Sequence, residues 1–329
     1  MLTALRTNAW AGMALALAGL ILAPVLVVIS RITHDSEGVW QHLAETVLAD
    51  YVLNTVLLAG GVGLGATVIG VGTAWLVTMH RFPGRRIMTW ALLLPLAMPT
   101  YLMAYTYTDL FQFSGSFRTA VRASWGSDAW VPEIRSMGGA IVTFSLVLYP
   151  YVFLVVRAAF LSQSLCVLEV SRTLGRGPWQ TFWTIALPLA RPAMAAGASL
   201  VLMETLAEYG AVDYFAVDTF TTGIYRAWTS LGSPEAAAQL AAALVLVVLV
   251  ALSLERFARG QARYDPTTNG MRARCESRLP GLRSAAALAA CALPVCLGFL
   301  LPGGVLVRLA LNAENSLGVA GLLSLTGNT

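Results

Sequence analysis

The chain has 329 residues, of which 57% are hydrophobic and 12% charged, and its mean hydropathy is +0.70. Several separate apolar runs carry this hydropathy, so the sequence excludes a water-soluble globular protein and predicts an all-α, polytopic membrane protein. The formal net charge of +4 comes from arginines in short loops between these runs, a position typical of topology signals rather than of nucleic-acid binding.

All 21 basic residues are arginine, and lysine is absent from the chain. A phosphate-binding P-loop needs a lysine to reach the phosphates, and Schiff-base chemistry needs a lysine amine. The sequence therefore predicts no standard nucleotide-hydrolysing site. The four cysteines show no C-x-x-C spacing and the three histidines are scattered, so we expect neither a disulfide framework nor a metal centre.

The first apolar run covers about residues 9–29 and is long enough to cross a bilayer. We interpret it as an uncleaved helix, because it is longer than a typical h-region and lacks a convincing small-x-small cleavage site; a secretory signal peptide is the alternative. Residues 31–50 hold four acidic residues against one arginine, which suits the outer face. Residues 1–50 are therefore assigned to a first span and a periplasmic segment.

A second span follows at about residues 52–79 and contains six glycines, which let helices approach closely in lipid. The next loop, residues 80–86, carries three arginines and no acid, as expected for a cytoplasmic turn. The third span, about residues 87–111, contains Pro95 and Pro99, so its helix is either broken along a translocation pathway or merely kinked. A longer outer loop, residues 112–137, comes after it.

The fourth span covers about residues 138–160, and the fifth begins near Pro192. Between them lies a polar segment, residues 161–192, whose excess of arginine over acid places it in the cytoplasm. A glycine that adopts positive φ can end a short helix at Gly175, and Pro178 suits the first turn of a second helix. We therefore predict a helix–turn–helix folded against the membrane face.

The fifth span carries two acidic residues, Glu204 and Glu208, at ~18 and ~24 Å from its cytoplasmic end. Because they are four residues apart, we predict that they share one helical face. Ionisable groups at such depth usually face a water-filled cavity or a partner, so the pair either attracts a cation on its path or fixes a gate by hydrogen bonding. The candidate pathway or gate residues are Glu204, Glu208, Tyr209, Pro95 and Pro99.

The outer segment that follows, residues 210–235, is again acidic, and a sixth span is predicted at residues 236–254. Residues 255–283 hold seven arginines against three acids, so we interpret residues 257–283 as a cytoplasmic linker. A seventh span lies at about residues 285–307. We interpret residues 284–329 as the incomplete start of a second, parallel repeat, because the last residues resemble those that precede the second span.

The polar segment contains an ordered pattern, in which Glu169 is followed after five residues by Gly175 and after nine more by Ile185, Leu187 and Pro188. Between the fourth and fifth spans of a six-span unit, this pattern resembles the cytoplasmic signature loop of ABC importer permeases, although Glu-Val-Ser replaces the usual Glu-Ala-Ala. The resemblance implies a six-span type I permease unit with its core at residues 51–256. It also implies that the loop docks into a groove on a separate ATPase subunit.

On this resemblance, the ATPase-coupling candidates are Glu169, Arg172, Thr173, Leu174, Gly175, Trp179, Ile185, Leu187 and Pro188. The absence of lysine agrees with it, because a permease of this type leaves ATP–Mg binding to its partner and needs no cofactor of its own. An amphipathic hairpin resting on lipid headgroups is the alternative interpretation.

Three stretches together resemble the ferric-iron permeases of bacteria, namely Arg-Thr-Leu-Gly-Arg-Gly-Pro-Trp, Glu-Thr-Leu-Ala-Glu-Tyr-Gly-Ala-Val and Thr-Thr-Gly-Ile-Tyr-Arg-Ala-Trp. The resemblance implies a non-catalytic, multi-pass subunit of the bacterial inner membrane, with a cytoplasmic N-terminus, that moves Fe(III) inward by alternating access. Its expected partners are the lipid bilayer, an ATPase dimer, a periplasmic binding protein and a second half-permease, but no nucleic acid.

Two alternatives stay open from the sequence. One is the same machinery for another solute, such as a polyamine, thiamine or a phosphonate. The other is a secondary transporter that uses Glu204 and Glu208 as a proton or cation site.

Overall fold

The computed structural model of the protein describes residues 2–36, 38–128, 130–162, 175, 177–259 and 277–313. The regular structure in these residues is helical apart from one pair of two-residue strands, as predicted for a membrane helix bundle. The chain divides into two units, Met1–Val56 with Asp218–Ser253, and Leu57–Val217 with Leu254–Thr329. Each unit has its own buried apolar cluster.

The first unit contains α1 (Leu2–Ile32), α2 (Val39–Thr46), the start of α3 (Leu48–Met79), α10 (Phe220–Thr229) and most of α11 (Pro234–Arg259). The rings of Tyr51 and Phe220 lie 6.4 Å apart in its core, and Asn54 Nδ2 donates a hydrogen bond to the Asp218 carbonyl at 2.9 Å. A Thr219–Thr222 capping box begins α10, because each residue's side chain hydrogen-bonds the other's backbone. These contacts hold the start of α3 against α10.

The second unit contains the rest of α3 and the elements between it and α10. They are β1 (His80–Arg81), α4 (Arg85–Ala91), a 3₁₀ turn (Leu94–Ala97), α5 (Thr100–Phe111), α6 (Ser116–Trp125), α7 (Met137–Ser162), α8 and α9 (Gly210–Tyr214). Helix α8 runs through Pro178–Thr181, a π turn at Phe182–Ala186 and Leu187–Ala207. After β2 (Ser277–Arg278), helix α12 runs through Gly281–Val295, a π turn at Cys296–Leu300 and Leu301–Ala313.

Helix α7 is the most enclosed of the spanning helices among the described residues, with 67% of its apolar window buried. Glycines on both sides of it explain why. A Cβ at Gly70 of α3 would lie 2.9 Å from the Tyr149 carbonyl oxygen, and one at Gly197 of α8 would lie 2.8 Å from the Val152 Cα. Small residues thus let α3 and α8 approach the α7 backbone closely, which is how helices gain packing energy in lipid.

Five helices among the described residues are long and apolar enough to cross a membrane, and they confirm the first, second, fourth, fifth and seventh predicted spans. They are Trp10–Ile32, Leu48–Met79, Met137–Ser162, Trp179–Ala207 and Gly281–Leu311. At the sixth predicted span, α11 is a helix whose apolar part, Pro234–Val250, is shorter.

The third predicted span is broken rather than merely kinked. Its two parts, Arg85–Ala97 and Thr100–Trp125, are bent by 91° at Met98 and Pro99. Met98 is extended (ψ 115°), as the residue before a proline favours, and α5 starts immediately after Pro99. The second part includes α6, so the predicted outer loop at residues 112–137 contains a helix.

The fifth predicted span starts earlier than expected, at Pro178 rather than near Pro192. The predicted helix after Gly175 does begin at Pro178, but it continues into the span, so the two are not separate elements. The π turn in α8 ends two residues before Pro188, which has no N–H to donate to the carbonyl four residues earlier. Pro188 therefore shifts the hydrogen-bond pattern without ending the helix.

The seventh span has the same arrangement of a π turn followed by a proline, because its π turn ends two residues before Pro302. Pro302 has no N–H to donate to a carbonyl four or five residues earlier. The Leu297 carbonyl, five residues before it, instead accepts a hydrogen bond from the Tyr107 hydroxyl at 2.8 Å. A Cβ at Gly298 would lie 2.7 Å from the Leu146 carbonyl oxygen. The helix predicted to start a second repeat thus packs against α5 and α7; residues 314–329 of that repeat lie outside the described residues.

The predicted linker, residues 257–283, is described only at its ends, because residues 260–276 lie outside the described residues. Near its end, Ser277–Arg278 pairs in parallel with His80–Arg81, and the Leu279 N–H donates to the Arg81 carbonyl at 3.2 Å. The segment that leads into the seventh span is therefore attached to the loop that follows the second.

The glycine packing on α7 makes a specific prediction. Gly70→Ala should lower the thermal unfolding midpoint of the purified protein in detergent, because overpacking against the α7 backbone typically costs about 1–3 kcal/mol. Gly72→Ala, on the same helix, is the matched control, since its Cβ meets nothing within 4 Å. Equal midpoints for the two variants would contradict the packing described.

Candidate coupling segment and membrane cavity

The coupling segment is described at Gly175 and at residues 177–188. Gly175 is exposed and has a φ of +77°, as predicted, and a Cβ there would meet nothing within 4 Å. Its requirement for glycine is therefore conformational rather than steric. Of the predicted coupling residues, Glu169, Arg172, Thr173 and Leu174 lie outside the described residues.

Two tryptophans extend from the first turns of α8. Trp179 is 69% exposed and Trp183 is 53% exposed, and their rings meet edge to face at 5.7 Å. They are four residues apart and so lie on one side of the helix. Ile185, Leu187 and Pro188, by contrast, are half-buried on the same helix. Large exposed aromatic rings at a helix end are typical of an interaction surface.

Phe182 connects this surface to the buried core. Its ring stacks on Trp179 at 5.8 Å and contacts buried Trp75 of α3 at 4.9 Å. Trp75 in turn meets Phe160 at the end of α7 at 5.5 Å and His80 of β1 at 5.9 Å. One aromatic cluster thus joins α8, α3 and α7 with the strand that pairs with the linker. Sequence reasoning missed Trp75 and Phe160, since both lie inside predicted spans and no local pattern separates them from ordinary core residues.

A cavity of about 350 Å³ lies near the other end of α8. The 3₁₀ turn, the helix break and helices α5, α7 and α8 contribute to it. Its lining residues are Leu96, Met98, Pro99, Thr100, Tyr101, Val147, Leu148, Tyr151, Glu204 and Glu208. The break in the third span is therefore part of this cavity.

Glu204 and Glu208 both line the cavity, but they do not share one helical face as predicted. Helix α8 ends at Ala207, and Glu208 has an extended backbone with a ψ of 131°. The Ala211 N–H donates to Glu208 Oε1 at 3.1 Å, so this carboxylate caps the start of α9. The chain bends at Glu208, where the extended backbone ends α8 and the side chain caps α9.

The other predicted pathway residues have different places. Pro99 lines the cavity together with the two glutamates, whereas Pro95 is buried against the seventh span beside Gly298, and Tyr209 precedes α9. Tyr101 and Tyr151 line the cavity although the sequence analysis did not select them. The position of Tyr101, two residues after the breaking Pro99, was the signal that could have found it.

A tyrosine cluster lies beside the cavity. The rings of Tyr101 and Tyr105 meet the ring of Tyr214 in α9 at 5.6 and 6.2 Å. Arg135 Nε donates to the Tyr214 carbonyl at 3.1 Å. Burial, as the main cause, raises the pKa of Tyr214, so its phenol is neutral at physiological pH. The cluster holds α9, and with it the residue that Glu208 caps, against α5.

The cavity offers two carboxylates and two phenols, which are hard oxygen donors. The two carboxylates attract metal cations and repel anions. Among the described residues, no group of three or more His, Cys, Asp or Glu side chains is arranged to hold a metal ion.

Residues 66–263 match the protein family described as "Binding-protein-dependent transport system inner membrane component". The chain is 30% identical over 214 residues to the Fe(3+)-transport system permease protein FbpB 2 of Haemophilus influenzae, an alignment that covers 65% of this chain and 38% of the relative. It is 30% identical over 170 residues to the sulfate transport system permease protein CysT of Escherichia coli, covering 52% and 59%.

The molybdenum transport system permease protein ModB of Escherichia coli is 25% identical over 194 residues, covering 57% of this chain and 83% of the relative. The chain thus spans less than two thirds of the length of the iron and sulfate relatives. Among solved structures, a bacterial ABC transporter involved in the import of alginate superposes with a TM-score of 0.60 at 17% identity, covering 78% of this chain and 98% of that one. That similarity shows the fold alone.

The aromatic cluster generates a prediction about stability. Trp75→Ala should lower the unfolding midpoint in detergent, because removing a buried tryptophan typically costs about 3–5 kcal/mol. Trp90→Ala is the control, since that side chain is 75% exposed. If both variants unfolded at the same temperature as the unmodified protein, Trp75 would not join the helices as described.

Proposed function

This chain belongs to the family of binding-protein-dependent transport system inner membrane components, and we propose that it is the permease part of an ATP-driven importer that moves Fe(III) into the cytoplasm. The observation that carries the proposal is the course of α8. A single helix bears the exposed Trp179–Trp183 pair at one end and Glu204 in the cavity at the other.

Helix α8 is long enough to transmit motion across most of a bilayer. From Trp179 to Glu204 it rises ~38 Å, against about 30 Å for the hydrocarbon core. A displacement of the tryptophan end therefore changes the position of the cavity wall. The π turn at Phe182–Ala186 includes Trp183, so the helix can change its winding at the tryptophan end itself.

We propose that the tryptophan end, together with the loop from Glu169 to Gly175, docks onto an ATPase dimer. Exposed tryptophans favour such a contact, because Trp is prominent among the residues that carry binding energy at protein interfaces. The chain has no lysine for a P-loop, so ATP–Mg would be bound by those partner subunits. The chain itself would be a transport subunit rather than an enzyme.

We further propose that the import complex contains a periplasmic binding protein and a second half-permease. The relative from Haemophilus influenzae is much longer than this chain, which covers 38% of it. One alginate ABC transporter with a similar fold was solved in complex with a periplasmic protein that carries the substrate. The second half would be either a further part of the protein or another copy.

The proposed orientation places the N-terminus in the cytoplasm of a bacterium, with the chain crossing the inner membrane several times. The arginine-rich loop at residues 80–86 supports it, because positive loops stay on the cytoplasmic side and two spans return the chain to the side on which it began.

Fe(III) is the proposed substrate because Glu204 and Glu208 both face the cavity. Sulfate and molybdate are anions, and two carboxylates would oppose their passage. The ferric relative matches more of this chain than the sulfate and molybdenum relatives described above. Uptake measurements with all three solutes decide between them.

The coupling role predicts the effect of removing the exposed tryptophans. Trp179→Ala combined with Trp183→Ala should greatly reduce ATP-driven uptake and co-purification of the ATPase subunits, because the docking surface is lost. The unfolding midpoint of the permease should change little. Trp90→Ala removes another exposed tryptophan and is the matched control.

Normal uptake by the double variant, with wild-type amounts of ATPase attached, would refute the coupling role. A double variant that fails to reach the membrane would be replaced by Trp179→Tyr with Trp183→Tyr, for which we expect partial uptake.

The substrate proposal predicts the effect of neutralising the cavity. Glu204→Gln should lower uptake of radioactive ferric iron by ~10-fold. This factor corresponds to a loss of about 1.4 kcal/mol in the electrostatic stabilisation of the cation along its path. Glu45→Gln, at an exposed position on α2, is the control. Glu208→Gln should also lower it, with an additional loss of stability because Glu208 caps α9.

Unchanged ferric uptake in the Glu204 variant would show that Glu204 is not part of the pathway. Uptake of sulfate or molybdate, rather than iron, by the unmodified complex would overturn the substrate and leave the permease role intact. Uptake that continues without ATP and stops when an ion gradient is collapsed would favour a secondary transporter.

A further inference from the structure

The segment between α5 and α7 exposes an unusual amount of aromatic surface. Trp125 is 72% exposed and Trp130 is 56% exposed, and their rings pack together at 5.2 Å with an angle of 31° between planes. Phe113 and Phe117 of the same segment are also exposed. We name residues 112–128 with Trp130 the α6 segment. Nothing in the proposed transport mechanism uses it.

The two arginines of α6 contact the loops on either side of the helix. Arg122 donates to the Phe113 carbonyl at 2.6 Å, pairs with Asp128 at 3.3 Å and lies 4.2 Å above the Phe113 ring centroid. Arg118 donates to the Val131 carbonyl at 3.1 Å. The cationic groups therefore turn inward to the loops, and the aromatic rings contact the surroundings together with small polar side chains such as Ser116 and Ser124.

The segment lies along the chain between two membrane elements. α5 ends at Phe111, and α7, an enclosed spanning helix, begins at Met137. The ring of Phe117 packs on that of Phe111 at 4.7 Å, so α6 is attached directly to the end of α5. If α5 and α7 lie in the bilayer, a segment attached to the ends of both is close to the boundary between hydrocarbon and water.

We propose that the α6 segment binds the lipid headgroup region and anchors this end of the broken span, with the phospholipid interface as its partner. Indole and phenyl rings favour this zone, where their apolar bodies leave water and the indole N–H can still donate to lipid carbonyls. A protein-docking surface typically carries a polar, charged rim, whereas both arginines of α6 turn toward the adjoining loops, where Arg122 pairs with Asp128.

The anchor would fix the orientation of α5 relative to the bilayer. α5 follows the 91° break and supplies Thr100 and Tyr101 to the cavity wall. A lipid anchor at its other end would let the break at Pro99 open or close without rotation of α5 into the lipid. The inference depends on membrane insertion of the chain and not on the identity of the solute.

Depth-dependent fluorescence quenching tests the proposal on the full-length chain. In a background with the four cysteines replaced, Trp125→Cys is labelled with an environment-sensitive fluorophore, and the protein is reconstituted into phosphatidylcholine–phosphatidylglycerol vesicles. Thr119→Cys, an exposed position ~120° around α6 from Trp125, is the matched control. Trp130→Cys provides a second site in case the first variant does not fold.

We expect the label at position 125 to have blue-shifted emission and to lose most of its intensity with nitroxides placed near the headgroup, and less with nitroxides at the end of the acyl chain. The label at position 119 should have the emission of a fluorophore in water and little quenching. Equal quenching at both positions would overturn the proposal. So would a label at position 125 that lipid nitroxides do not quench and that a periplasmic binding protein shields, because the surface would then bind protein.

Discussion

Close contact between backbones on both sides of α7 is the constraint on which the second unit depends. Lipid gives helices no hydrophobic reason to associate, so packing must come from surfaces that fit at short range. Gly70 of α3 and Gly197 of α8 provide such surfaces against Val152 and the Tyr149 carbonyl, which leaves α7 buried and closely packed between two spans. The moving parts of an importer would then lie around α7, in the broken span and in α8. The proposed transmission along α8 requires such a fixed neighbour, because a helix transmits displacement only relative to something that does not move.

Three prolines mark the points at which the helices around α7 break or change their winding. Pro99 produces a complete break beside the cavity, whereas Pro188 and Pro302 each follow a π turn that leaves the helix continuous. The difference follows from local surroundings. Tyr107 satisfies a carbonyl near Pro302 from a neighbouring helix, so that helix continues, while the chain at Met98 turns away and α5 starts again after Pro99. Helix breaks near the middle of a membrane protein are tolerated where they line a cavity, and this break does line one.

Much of the helical layout followed from hydropathy, because a run of apolar residues long enough to cross a bilayer has few other structures available. Five predicted spans are confirmed in that way, and a helix begins at Pro178 as its position suggested. The errors concern how far a helix continues. Arg191 and Pro192 marked the start of the fifth span by their chemistry, yet the helix already begins at Pro178, inside the coupling segment. The helical face predicted for Glu204 and Glu208 is wrong because the second carboxylate caps a new helix instead of extending the old one.

The sequence by itself determined the class of the protein, the approximate course of its spans, the absence of a lysine-dependent nucleotide site and the signature that points to its family. All of these depend on composition and spacing, which are local quantities. Only the tertiary structure decided that the third span breaks, that Tyr101 and Tyr151 join the two glutamates around one cavity, and that Trp75 connects the coupling segment to α7. These features depend on which side chains meet across distant helices, and the pattern along a single helix is the same whether a residue faces lipid, a neighbour or a cavity.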